Sequence, residues 1–430
     1  MNDITVKILC EQFHIDKDIL DMVETAEAQL ADEFRKTDEI CEYNQYRVLS
    51  AFQKNRISDM HFGWTTGYGY DDLGRAAIEK VYASVFGAEA AIVRTQIVNG
   101  THALASVYLG LLRAGDELIY CSGTPYDTMK TVIGLDPDNQ SPGNLKEYGI
   151  IYKQVDLTDD NEVDLEAVKA AIGPRTKIAA LQRSTGYSFR KAFSTDRIKA
   201  WIDACKSVKP DIICMVDNCY GEFTDYYDPI ELGADIMAGS LIKNPGGGLA
   251  LSGGYIAGRK DLIDRIYYRV TCPGIGGECG LTFGQTRTMM EGLFIAPRVT
   301  AGAVKGAKLC AKVYENLGYE TCPRSTDKRS DIIEAVVLGS AEKVEAFCKG
   351  VQQAAPVDSF VTPEYGDMAG YKDKIIMAAG AFVQGSSIEL SADGPMREPY
   401  IVYFQGGITY EHSKFGVIKS LQSLRSRGLL

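Results

Sequence analysis

Between residues 16 and 56 apolar side chains recur at helical spacing among Glu, Ala and Leu, with no Gly or Pro between them, which predicts helix. The stretch HFGWTTGYGYDDLGR, His61 to Arg75, ends that pattern with four glycines and four aromatics. A helix over AAIEKVYASVFG and a short β-type run, AAIVRT, follow. From there to about residue 260 helices and strands alternate. THALASVYLGLLR and DRIKAWIDACKSV read as helices, and ELIYC, KIAALQ, DIICMVD, ADIMAGS and GGYIAG as strands. Short apolar strands between amphipathic helices predict a mainly parallel sheet covered on both faces. The run from Thr286 to Gly318 predicts a long helix with a kink or break at Pro297. Beyond about residue 325 the pattern turns to strands (IIEAVVLG, KIIMAAGAF, SSIELSA, YIVYFQ) with two helices, one of them the last. The expected organisation is an N-terminal helical arm over 1–66, a large α/β domain over 67–300 and a smaller α+β domain over 301–430.

Composition narrows the function classes. A net charge of −11 over 430 residues disfavours nucleic acid or an anionic membrane as the main partner. No apolar run is long enough to span a bilayer, and the N-terminus lacks the pattern of a secretory signal. The eleven cysteines are scattered without a CxxC pair, which predicts reduced thiols in a cytoplasmic protein, with Cys214 and Cys219 packed in the core. Four histidines, none at HExxH spacing, predict no metal site.

One segment concentrates chemistry: VDNCYGEFTDYYDPIELGADIMAGSLIKNPGGGLA, Val216 to Ala250. Asp217 ends an apolar strand, at the edge where open α/β sheets bind ligands. Lys243 follows a second such strand, with Ser240 three positions before it and Pro-Gly-Gly-Gly after Asn244. Pyridoxal 5′-phosphate chemistry needs that pair: a lysine amine to form an imine, and a carboxylate to keep the pyridine nitrogen protonated. The plain alternative is a surface lysine beside a turn and an Asp that merely ends a strand. A second segment, Gln96-Ile97-Val98-Asn99-Gly100-Thr101, joins a strand to a helix and offers backbone N–H groups to a phosphate. Asn99 and Thr101 read equally as ordinary caps, and His102 as a capping or packing residue. Ser240 is a candidate for a further phosphate bond, and Tyr126 for stacking on the pyridine ring. Gly274 to Gly280 only approximates GxGxxG, and Lys243 precedes its glycines, so neither is a dinucleotide or P-loop motif.

Together GYGYDDLGR, VRTQIVNGTHAL, GTPYDT, VDNCYGEF, ELGAD, GSLIKNPGGGLA, EGLFIAP and PYIVYFQGG resemble fold type I pyridoxal phosphate enzymes of the cystathionine lyase group. Within that group the chain is similar to the methionine γ-lyase-like family called aluminium-resistance proteins. The resemblance implies a fold type I, PLP-dependent transferase-like architecture: a large mixed, mostly parallel sheet domain plus a smaller α+β domain. It implies Lys243 as the Schiff-base lysine, Asp217 as partner of the pyridine nitrogen, and Ser240 with Gly100-Thr101 as the phosphate cup. Tyr126 falls near the ring-stacking tyrosine, and Tyr68 and Tyr70 near a loop that reaches a neighbouring subunit's phosphate. It further implies a homodimer or homotetramer with active sites at the subunit interface. The activity implied is carbon–sulfur elimination, α,β or α,γ, from a sulfur-containing amino acid. Aminotransfer, replacement, aldol cleavage, or a fold retained without catalysis stay open, since one lysine and one Asp serve them all. This chain departs from the group in three places. Ile242 stands where the sulfur lyases carry a hydroxyl residue. Tyr68-Gly69-Tyr70 replaces a tyrosine–x–arginine pair, with the nearest arginine at Arg75. The C-terminal arginine motif is not matched cleanly, which leaves Arg397 as the candidate for the substrate carboxylate, with Arg183, Arg190 and Arg287 as rivals.

Overall fold

Residues 1–70, 72–136, 141–368 and 373–430 are described by a computed structural model; Asp71 of GYGYDDLGR lies outside them. The chain forms two compact units. One comprises Tyr43–Gly186 and Lys191–Pro297, the other Met1–Glu42, Tyr187–Arg190 and Arg298–Leu430.

The larger unit is built on β1 (Ala90–Arg94), β2 (Glu117–Tyr120), β3 (Ile151–Gln154), β4 (Thr176–Gln182), β5 (Ile213–Asp217), β6 (Ile236–Ser240) and β7 (Gly254–Gly258). They form one sheet in the order β1-β7-β6-β5-β4-β2-β3. Strands β2 to β6 run parallel, and β7 is antiparallel to both β6 and β1. Successive side chains of a strand point to opposite faces, and here both faces are buried. Ile213 and Met215 of β5 join one core cluster with Leu104, Tyr108 and Ile256. Cys214 and Val216 join the other, with Trp201, Phe86 and Tyr255. Such two-sided burial explains why the strands read as continuous apolar runs.

The smaller unit carries β8 (Glu320–Cys322), β9 (Ile333–Val337), β10 (Ile375–Ala378), β11 (Ser391–Pro395) and β12 (Ile401–Gln405), an antiparallel sheet in the order β10-β11-β12-β9-β8. The helices Ala341–Ala354 and Tyr410–Ser426 cover it, burying Phe347, Val351, Val417 and Leu421. Ile19, Leu20 and Val23 of the helix Lys17–Ala28 belong to the same core.

One sequence expectation needs correction and two gain detail. The strand expected over SSIELSA begins only at Ser391. The reason is Glu389, whose carboxylate accepts from the Phe382 and Val383 amides at 2.8 and 2.9 Å and so holds the preceding stretch as a loop. The helix Thr286–Asn316 contains Pro297, so of the expected kink or break the break does not occur; the proline costs the helix one backbone donor. Within the expected N-terminal helical arm a first helix, Asp3–Phe13, precedes the stretch that begins at residue 16; Asn2 caps it, accepting from the Thr5 amide at 2.9 Å, and it buries no residue. Among the described residues no helix is long and apolar enough to cross a membrane.

Candidate active site

Because β4, β5 and β6 are parallel, their C-terminal ends meet at one edge. The register sets Gln182 opposite Asp217, and Asp217 opposite Ala238, two residues before Ser240. The Asp217 carboxylate is buried, and its Oδ1 accepts from the Cys219 amide at 3.1 Å. Burial pushes this carboxyl above the usual carboxylate range, while Lys243 and the Cys219 N–H pull in the opposite direction.

Lys243 lies three residues past β6 and is half-buried. Burial works against its ammonium, but Cys219, Tyr220, Asp217 and Glu222 around it hold its pKa above the ordinary lysine value. Its loop is tightly packed: a Cβ on Gly246 would come within 1.7 Å of the Leu241 carbonyl oxygen, and one on Gly247, at φ 55°, within 2.4 Å of the Gly292 carbonyl. Only glycine fits there. Asn244 Nδ2 donates to the carbonyls of Tyr220 and Glu222 at 2.9 and 3.0 Å. This ties the lysine loop to the turn after Asp217.

The N-terminus of the helix Gly100–Leu111 approaches the same edge. Asn99 is its cap, with Oδ1 accepting from the His102 amide at 2.8 Å. A Cβ on Gly100 would stand 3.3 Å from Cys219 Sγ and 3.4 Å from Ser240 Cβ, so the helix start faces Ser240 directly. Ser240 Oγ accepts from the Ile242 amide at 3.3 Å, and the Thr101 and Thr128 hydroxyls lie 2.9 Å apart. The Tyr126 amide donates to Gln182 Oε1 at 3.0 Å, and its ring lies beside Gly186. His102 Nδ1 accepts from the Val98 amide at 3.2 Å, a local cap. Asn99, Gly100, Thr101, Tyr126, Asp217, Ser240 and Lys243 therefore converge on one sheet edge.

Arg183 has no exposed surface; its guanidinium donates to Asn218 Oδ1 at 2.8 Å and Thr224 Oγ1 at 3.3 Å. Arg397, in the smaller unit, pairs with Asp373 at 3.0 Å and lines a cavity of about 190 Å³ with Tyr187, Phe189 and Tyr403. Arg287 pairs with Asp59 at 3.1 Å on the surface, and Arg190 is buried in the smaller unit. Tyr68 and Tyr70 are 71% and 86% exposed. Their loop is nevertheless fixed, because Arg75 donates to the carbonyls of Gly67, Gly280 and Glu278 at 2.8, 3.1 and 2.8 Å. Arg94 donates to those of Cys279 and Gly277, both at 2.9 Å.

Sequence reasoning missed Gln182, Tyr220, Glu222 and Asn244. Glu222 is fully buried, accepts from the Tyr255 hydroxyl at 2.7 Å, and is pushed by burial up to about 8. VDNCYGEF contains two of these residues, but a turn's side-chain directions are not written in its spacing.

Comparison with known proteins places this edge in context. The family model described as methionine gamma-lyase matches residues 19–425. The uncharacterized protein YnbB of Bacillus subtilis (strain 168) is 47% identical over 404 residues, 94% of this chain and 96% of that protein. A solved structure described as a carbon-sulfur lyase involved in aluminum resistance, from Clostridium novyi NT, is 48% identical with a TM-score of 0.94 over 98% of this chain and 99% of that one. The pyridoxal-5′-phosphate dependent protein YhfS from Escherichia coli shares the fold alone, at 15% identity and a TM-score of 0.61 over 91% of this chain and 97% of that one. The architecture is that of the fold type I enzymes. With a family model over nearly its whole length and a full-length relative at 47% identity, the chain belongs to the methionine gamma-lyase family.

Proposed function

We propose that the chain is a pyridoxal 5′-phosphate-dependent carbon–sulfur lyase acting on a sulfur-containing amino acid. The observation that carries this reading is that buried Asp217 and half-buried Lys243 lie at one sheet edge, beside a helix start where Gly100 comes close to Ser240. The residues present fit the group. When bound, the cofactor supplies an electron sink conjugated to the substrate's Cα. Lys243 holds it covalently and, once released, takes the Cα proton onto Nζ. Asp217 keeps a proton at the pyridine nitrogen, its own charge favoured once that cation is beside it. Gly100, Thr101 and Ser240 bind the phosphate, Asn99 orders the helix start, and Tyr126 packs on the ring face. Arg397 holds the substrate carboxylate through its guanidinium fork, and Arg183, closed off beneath the Asp217 turn, is the weaker choice. Tyr68 and Tyr70 complete a neighbouring subunit's site. A cytoplasmic location and an amino-acid substrate belong to the same reading.

Borohydride reduction followed by peptide mapping should place a pyridoxyl group on the Lys243 peptide. Cystathionine, cysteine or methionine analogues should then yield a thiol, ammonia and a 2-keto acid together, with no added keto acid. Label on another lysine would sink the reading, and turnover that depends on an added keto acid would reassign the chain to aminotransfer. In the same assay Arg397→Ala should raise KM by the loss of about 1.5–3 kcal/mol of charge-assisted hydrogen bonding.

A further inference from the structure

The amine of Lys243 has a resting place. Its Nζ stands 4.0 Å from the centre of the Tyr220 ring. Tyr220 is held at φ 70°, a left-handed conformation that a tyrosine adopts only where its surroundings impose it. The impositions are visible. The Gly221 amide donates to the Asn218 carbonyl at 2.9 Å, and the Tyr220 carbonyl accepts from Asn244 Nδ2 at 2.9 Å. Beneath the turn, Arg183 packs so closely that a Cβ on Gly221 would come within 2.5 Å of Arg183 Cδ. Asn244 is the residue next to Lys243, so the lysine loop itself grips the turn that carries the ring.

We propose that Tyr220 is a positioning residue for Lys243, its ring face being the surface on which the ε-ammonium rests whenever the amine is not covalently linked. This rests on the reading of Lys243 as the reacting amine. In proton removal the Cα–H bond breaks, its electron pair stays with the substrate, and a new N–H bond at Nζ turns amine into ammonium. An aromatic face attracts the ammonium and not the neutral amine. Tyr220 thus favours the protonated product of that step and fixes where it stands. Among the described residues, the carboxyls of Asp217 and Glu222 and the thiol of Cys219 also act electrostatically on the Lys243 amine.

The test uses the full-length chain freed of cofactor and labelled with ¹³C at the lysine ε-carbons, the Lys243 signal being identified by its loss in Lys243→Arg. Its ε-protons should be shifted upfield by the ring current. The shift should survive in Tyr220→Phe and vanish in Tyr220→Asn, a residue that tolerates the left-handed backbone. Acetylation of Lys243 by acetic anhydride, below its pKa, should quicken about tenfold in Tyr220→Asn and stay unchanged in Tyr220→Phe. An unshifted Lys243 signal in the unaltered protein overturns the proposal whatever the variants do, and so does equal acetylation of all three proteins. Absence of a pyridoxyl label on Lys243 would instead sink the cofactor reading and leave these measurements standing.

Discussion

At the scale of single residues, Glu222 makes a prediction independent of any ligand. Its carboxyl is pushed by burial from an ordinary 4.5 up to about 8, against the pull of the Tyr255 hydrogen bond. The folded chain therefore keeps this proton while the unfolded chain loses it. Stability falls as pH rises through the window from about 4.5 to about 8, then levels off. Glu222→Gln keeps an acceptor for Tyr255 and cannot ionise. Urea unfolding should find it close to the parent at pH 4.5 and more stable at pH 8.5, by up to a few kcal/mol at about 1.4 kcal/mol per unit of pKa displacement. A difference that does not change with pH would contradict the assignment. Legibility in the sequence also divides at this scale. Asp217 and Lys243 were legible because a strand end and a glycine-rich turn are local patterns. The roles of arginines were not, since whether a guanidinium is sealed in, as Arg183 is, or paired at a surface, as Arg287 is, depends on distant partners.

Among the elements, the helix start at Gly100 is the sharpest point. Gly100→Ala adds a methyl 3.3 Å from Cys219 Sγ and 3.4 Å from Ser240 Cβ, pressing on the serine proposed to bind the phosphate. The helix itself should tolerate it, since alanine is the better helix former. Retained cofactor, measured by absorbance after dialysis, should fall at least about tenfold, as overpacking costs roughly 1–3 kcal/mol. Full retention would move the phosphate elsewhere. The strands of the larger sheet were legible because burial on both faces writes them as apolar runs. β3, whose side chains are partly exposed, and β8, three residues long, leave no such trace. β11 was misread because its strand is SADGP, where Gly394 passes so close to Val344 that a Cβ would lie 2.2 Å from Cγ1. Strand propensity does not anticipate a backbone chosen for close approach.

For the whole molecule, the exposed aromatics are the feature to explain. Trp64, Tyr68 and Tyr70 are 71%, 71% and 86% exposed on a segment held at the Gly67 carbonyl by Arg75, an arrangement suited to meeting another subunit. If sites are shared between subunits, mixing an inactive Tyr68/Tyr70 double variant with Lys243→Ala should restore part of the activity through hybrid oligomers. Reassembled mixtures that stay inactive, with both variants folded and associated, would refute shared sites. The two arginines beneath this loop carry a consequence of their own. Apart from one short 3-10 turn, Gly276–Glu278, residues 271–285 are irregular and contain Gly274, Gly276, Gly277, Gly280 and Gly284, the kind of segment that proteases nick first. Cleavage requires the backbone to peel away and lie extended in the protease cleft. Here the carbonyls of Gly277, Glu278, Cys279 and Gly280 are each held by Arg75 or Arg94. The segment should survive limited digestion that cuts other loops, and Arg75→Ala should turn it into a preferred cleavage site, because the guanidinium that kept the chain out of reach is gone.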